Sequence, residues 1–176
     1  MRRRTTLAIL GQVGLAGLTG LALGGCGFKL RGPQNYDFQT IAIMPNPGGP
    51  LAVELRRSFG GTVQVLGLNE PLTQAQVVLD ILQEGREKTV VGINSSGQVR
   101  EFQLRIRVKF RVRTPQGQML TPDSEILQQR DISFSEAAVL AKEAEEALLY
   151  RDMQSDIVQQ FMRRLATVRL DHATSP

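Results

Sequence analysis

The sequence predicts an α+β fold: a two-layer α/β sandwich in which one mostly antiparallel, four-stranded sheet is covered on one face by two helices. Three observations predict it. Residues 101–113 alternate apolar and polar without a slip. Leu149, Met153, Ile157, Phe161 and Leu165 recur every four residues. Leu51, Leu55 and Phe59 do the same in a shorter segment. A period of two marks a strand with one wet face, and a period near 3.6 marks a helix with one buried stripe. A one-sided sheet and two one-sided helices hide their apolar faces against each other. The 176 residues suit one domain.

The first 25 residues stand apart from that domain. Arg2, Arg3 and Arg4 form a cationic head, and no charge follows from Thr5 to Leu23. Gly24 and Gly25 close the run. This is the layout of a secretory signal. A transmembrane anchor is the alternative, since about 20 apolar residues span a bilayer, but Gln12 and the glycines at 11, 14, 17 and 20 dilute the run. Leu23-Gly24-Gly25-Cys26 resembles the bacterial lipobox, whose cysteine becomes the first mature residue and carries acyl chains. Cys26 is the single cysteine, so it has no intrachain disulfide partner. Its thiolate is the nucleophile that takes a diacylglyceryl group, and the lipobox resemblance implies N-acylation as well. Two or more chains anchor stably, at ~0.8 kcal/mol per buried methylene. Gly27 stands where an aspartate would retain such a lipoprotein at the inner membrane, so the outer membrane is expected.

The organisation read from the chain is a signal peptide over 1–25, a lipidated tether over 26–39, a single α/β domain over 40–170 and a flexible tail over 171–176. Thr40–Met44 reads as a short buried strand, stopped by Pro45, Pro47, Gly48 and Gly49. Pro50 suits the first turn of a helix that Gly60 and Gly61 terminate. Residues 63–66 suggest a short extended piece. Residues 77–93 are rich in β-branched side chains and form a strand, with Gly85 as a candidate bulge. Residues 94–98 (NSSGQ) turn the chain. The alternating strand 101–113 follows, about 40 Å long at ~3.3 Å per residue. Pro115-Gln116-Gly117 turns it again, and residues 125–134 return as a less regular strand. A long helix spans 135–168, with Ser133 and Glu136 at the spacing of a capping box. Its acids (Glu136, Glu143, Glu145, Glu146) lead and Arg163 and Arg164 close, matching the helix dipole.

Removing Arg2, Arg3 and Arg4 from the 21 lysines and arginines leaves 18 against 17 acids. The basic balance therefore belongs to targeting and gives no argument for nucleic acid. The only histidine, His172, lies in the tail. There is no ligand cluster for a metal, no glycine-rich phosphate loop and no G-x-S-x-G, so no catalytic residue, metal or cofactor is expected, and the protein reads as a non-enzyme. The unusual feature is a basic stripe: Arg105, Arg107, Lys109, Arg111 and Arg113 share one face of one strand, ~6.6–6.8 Å apart. Cross-strand acids are one answer to it, with Glu84 opposite Arg107, Asp80 opposite Arg111, and Glu125 and Asp131 on the next strand. An anionic partner such as a phosphorylated lipid is the other, because arginine forks suit phosphate.

Four segments in order resemble the lipopolysaccharide-assembly lipoprotein family LptE. They are Cys26-Gly27-Phe28-Lys29-Leu30-Arg31-Gly32 at the mature start, Gly97-Gln98 at a hairpin tip, Glu101-Phe102-Gln103 after it, and Val139-Leu140-Ala141-Lys142 at the long helix. The resemblance implies a non-enzymatic, lipid-anchored outer-membrane protein that faces the periplasm. It implies that the protein fills the lumen of the LptD β-barrel, helps to assemble it and binds lipopolysaccharide. Lys142 matches a lysine that the family implicates in lipopolysaccharide contact; its alternative is a surface lysine paired with Glu146 at i+4. Some relatives carry an arginine at the hairpin tip, where this chain has Asn94-Ser95-Ser96, so Arg100 is the substitute candidate. The candidate lipopolysaccharide-binding residues are thus Lys142, Arg100, Arg105, Arg107, Lys109 and Arg111. The competing readings are an outer-membrane lipoprotein that carries a different lipid or serves another periplasmic partner, and a periplasmic hydrolase, which lacks a nucleophile–base pair.

Overall fold

The structure, a computed structural model, describes residues 34–170. The signal segment, Cys26, the first part of the tether and the tail 171–176 lie outside the described residues. Along the rest run strand β1 (Thr40–Met44), helix α1 (Pro50–Ser58), β2 (Gln64–Val65), β3 (Val77–Ile93), β4 (Val99–Arg113), β5 (Met119–Ser133) and helix α2 (Val139–Leu165). The two-layer α+β architecture is as expected, but the sheet has five strands in the order β2-β1-β3-β4-β5. The extra strand is the short piece near residue 64, which pairs parallel to β1. The pairing of β1 with β3 is also parallel, whereas β3, β4 and β5 form an antiparallel meander.

Burial follows the sequence pattern. In β4, Leu104, Ile106, Val108, Phe110 and Val112 are all buried. They receive the α2 stripe, in which Met153, Ile157 and Phe161 have no exposed surface. Phe110 and Phe161 meet edge to face with centroids 4.6 Å apart. Leu51 and Leu55 of α1 join Ile41 and Ile43 in the same core. A second, small cluster on the other side of the sheet joins Ala42, Leu66, Ala75 and Val78. Covered on both sides, β1 is apolar through its middle instead of alternating. The core reaches back to Tyr36 and Phe38: Phe38 is buried and the rings lie 5.4 Å apart.

Four local expectations need correction. Gly85 pairs regularly with Arg107; the register shifts lie at Leu82, where Ile81 faces Phe110 and Gln83 faces Lys109, and again near the turn between Val90 and Ile93. The extra residue moves the later ladder by one position, so Glu84 lies opposite Val108 and not opposite Arg107. Strand β5 starts at Met119 rather than 125, because the turn Thr114–Gln118 is closed by the Thr114 N–H donating to the Gln118 carbonyl at 2.8 Å. Finally, Ser133 and Glu136 make no capping box. Ser133 ends β5. The Phe134 N–H still donates to the Arg100 carbonyl at 2.7 Å, which holds the chain extended. A 3-10 turn over Glu136–Ala138 then intervenes, and α2 begins at Val139.

Candidate functional site

The helices cover one face of the meander and leave the other open. On that open face β4 places Gln103, Arg105, Arg107, Lys109, Arg111 and Arg113 in one line, because its inward set is fixed by the core. The structure brings four of the six candidate binding residues together: Arg105, Arg107, Lys109 and Arg111 form this ridge, while Arg100 at the start of β4 and Lys142 stand elsewhere.

Neighbouring strands answer much of the ridge. Asp80, the one buried charged residue among those described, is clamped at its root. Arg113 donates from Nε to Asp80 Oδ2 at 2.7 Å and from Nη2 to Oδ1 at 3.2 Å, and Arg111 donates from Nε to Oδ2 at 2.9 Å. Burial alone would raise the Asp80 carboxyl, but the hydrogen bonds from Arg113 and Arg111 outweigh it and hold the pKa below the ordinary value. The same contact with Asp80 raises that of Arg113. The expected pairing of Asp80 with Arg111 is therefore present. Arg107 reaches both oxygens of Glu125 at 3.2 Å, with each side chain about one-third exposed. Arg105 donates to Gln103 Oε1 from Nε at 2.7 Å and again from Nη2, and Gln103 Nε2 in turn donates to Asp131 at 2.9 Å. Lys109 makes no ion pair among the described residues. It stands exposed beside Leu82, Asp123 and Glu125 in a shallow hollow. The ridge is thus answered across the strands: Asp80 divides one negative charge between Arg111 and Arg113, Glu125 pairs with Arg107 and lies opposite Lys109, and Glu87 lies opposite Arg105.

Arg100, exposed near the β3–β4 turn, approaches only Gln98 Oε1 at 3.4 Å. Lys142 does not pair with Glu146. Its Nζ donates to Glu145 at 2.8 Å and to the Ser133 hydroxyl at 2.9 Å. Glu146 is taken from across the layer by Lys88 of β3 at 2.5 Å.

These contacts frame a feature that the sequence reading missed. Between the start of α2 and the far end of the sheet lies a cleft of about 240 Å³, lined by Phe102, Ile132, Phe134 and Val139 with Lys88, Lys142, Glu143 and Glu146. Phe102 and Phe134 meet edge to face at 5.3 Å, and the Lys88 ammonium sits 4.4 Å over the Phe102 ring. The available signal was the stripe of α2 itself. Continued backwards from Met153 at helical spacing, it passes Tyr150 and then Glu146, Lys142 and Val139, which places charges where the sheet offers apolar side chains. No helix among the described residues is long and apolar enough to cross a membrane.

Comparison with known proteins decides the family. Residues 38–165 match the model of LptE, described as lipopolysaccharide-assembly. The chain belongs to the LptE family. It is similar to the LPS-assembly lipoprotein LptE of Yersinia enterocolitica, 29% identical over 176 residues that cover 96% of this chain and 78% of that one. It is also similar to lipoprotein B of Nitrosomonas europaea, whose solution NMR structure is 33% identical with a TM-score of 0.69 over 80% of this chain and 91% of that one. The crystal structure of the rare lipoprotein B of Shewanella oneidensis, 20% identical with a TM-score of 0.61, covers 73% of this chain and 94% of that one and shows likeness of fold. Membership of LptE bears out the family read from the four sequence segments and places the chain in lipopolysaccharide assembly rather than among enzymes.

Proposed function

We propose that this LptE-family protein is an outer-membrane lipoprotein that occupies and helps to assemble the LptD β-barrel and binds lipopolysaccharide on its way to the outer leaflet. In this reading, residues 1–25 are removed and Cys26 carries the acyl chains. The folded body faces the periplasm and stands in the barrel lumen, and residues 171–176 remain a tail. The observation that carries the reading is the open face of the meander. Three long strands present a polar, charge-rich surface with no helix over it, which suits a body bathed in a wet lumen and whose guanidinium groups are able to meet phosphate. The lipid anchor supplies permanent residence at the membrane.

A C-terminally tagged full chain, extracted from membranes in mild detergent, tests the assembly. A large outer-membrane barrel protein recovered with it supports the reading. Lipid alone favours the carrier alternative. Mass spectrometry of the same material is expected to show a mature start at an acylated Cys26; an intact Met1 and a free thiol overturn the anchor. For the ligand, Arg107→Glu with Lys109→Glu is expected to weaken lipopolysaccharide capture while the circular-dichroism spectrum stays unchanged. Arg111 is left alone because it holds Asp80. Undiminished capture would assign the ridge to packing or barrel contact.

A further inference from the structure

The cleft at the head of α2 is a mismatch between layers. The sheet offers Phe102, Ile132 and Phe134, and Ile132 is only 4% exposed. The helix answers with Lys142 and Glu146 at positions that, three turns later, hold Met153 and Ile157. Each charged group swings to the mouth to find a partner: Lys142 with Glu145 and Ser133, Glu146 with Lys88. Phe102, Ile132, Phe134 and Val139 are left as an apolar floor beneath these charges. The cleft is open to solvent, with its charged groups at the rim.

We infer that this cleft takes one acyl chain of an amphiphile, with the Lys88–Glu146 pair as the bar across its mouth. The inference rests on the lipopolysaccharide reading above and deepens it by naming where the apolar part of that ligand lodges. The size limits the occupant: about 240 Å³ is below the ~300–1,000 Å³ of a typical pocket for a drug-sized ligand, so the cleft takes a slender apolar group and no sugar ring system. The charge pattern fits as well. Two ammonium groups and two carboxylates line the cleft, so the mouth draws no ion by net charge. Affinity comes from burying the chain, at about fourfold per methylene. An anionic head then replaces the carboxylates as partner of Lys88 and Lys142. Lys88 is the residue that couples the two events. It lies over Phe102 at 4.4 Å, it holds Glu146, and it also borders the adjoining groove that Arg86 and Tyr150 line.

The test is photo-crosslinking with the full chain in its native envelope. p-Benzoylphenylalanine replaces Glu143 at the rim or, for comparison, Gln129 on the open sheet face opposite Arg105, where the ridge itself is expected to meet lipopolysaccharide. The expected result is a lipopolysaccharide adduct at position 143 that is lost when Val139→Trp plugs the mouth. Val139 is 39% exposed at the first turn of α2, so the plug is tolerated, and Val139→Phe provides a smaller version with the same expected loss. A phospholipid adduct at 143, lost on plugging, keeps the acyl cleft and replaces lipopolysaccharide as its occupant. An adduct at 143 that survives both plugs, or lipopolysaccharide at 129 alone, overturns the cleft and leaves the lipopolysaccharide reading standing. No lipid at either position overturns both.

Discussion

Asp80→Ala tests the electrostatic account of the open face most directly. The carboxylate is 8% exposed and accepts three hydrogen bonds from two guanidinium groups. Arg113, with its side chain 20% exposed, forms the stronger, two-pronged contact, which we take at the low end for a charged hydrogen bond, ~1.5 kcal/mol. Arg111, 40% exposed, is screened by water and adds about 0.5 kcal/mol, as surface pairs do. The substitution should therefore cost about 2 kcal/mol. With a urea slope of roughly 2 kcal/mol per molar, the unfolding midpoint falls by about 1 M. The pH dependence carries the same signature. The folded pKa of Asp80 lies below the unfolded value, so its stabilisation is fully present above the unfolded value, about 3.9. It is lost as pH falls through the lower folded value. Urea titrations at neutral pH and on descending into acid, for wild type and Asp80→Ala, measure both effects. Wild type should lose this increment in acid and the variant should not. An unchanged midpoint at neutral pH, or an equal acid loss in both proteins, would refute the clamp.

Other outcomes follow from the packing. Phe161→Ala removes a ring with no exposed surface from against Phe110 and should cost about 3–5 kcal/mol in chemical denaturation. Gly48→Ala should destabilise by more than about 1 kcal/mol, since φ is +74° and an added Cβ would meet the Ala52 Cβ at 2.6 Å and the Pro45 carbonyl at 2.7 Å; a melting temperature equal to wild type would contradict this. A double-mutant cycle on Arg107 and Glu125 should return no more than about 1 kcal/mol and shrink in salt, because both side chains are more than one-third exposed or nearly so.

The parts of the fold that were legible in sequence are those where one residue's environment repeats. Strand β4 alternates because the same core lies under every second side chain, and the α2 stripe from Leu149 onward recurs for the same reason. The parts that were not legible depend on a single distant contact. Two residues of β2 pair with β1 without any pattern of their own. The capping box at Ser133 and Glu136 satisfied a local rule, but the backbone of Phe134 was already committed to Arg100 across the hairpin. Lys142 and Glu146 have the spacing of a helical ion pair, yet Lys88, more than fifty positions earlier, takes the carboxylate. At the candidate site, Asp80 falls opposite Arg111 as the turn position suggested, because the ladder leaves the turn one position out of that register and the extra residue at Leu82 restores it. Glu84 does not fall opposite Arg107, because it lies on the turn side of Leu82, which has no side-chain signature of a bulge.

That one residue has a further consequence for where charge is distributed. Had β3 kept an unbroken zigzag from Asp80, its even-numbered positions would all look out onto the basic ridge, and Arg86 and Lys88 would enlarge it by two cations. The supernumerary leucine inverts the count, so both side chains turn under the long helix, where Arg86 meets Gln154 and Lys88 meets Glu146. A half-step in a ribbon thereby divides the cations of this protein between two sides of one sheet, and it sets how strongly each side can attract phosphate.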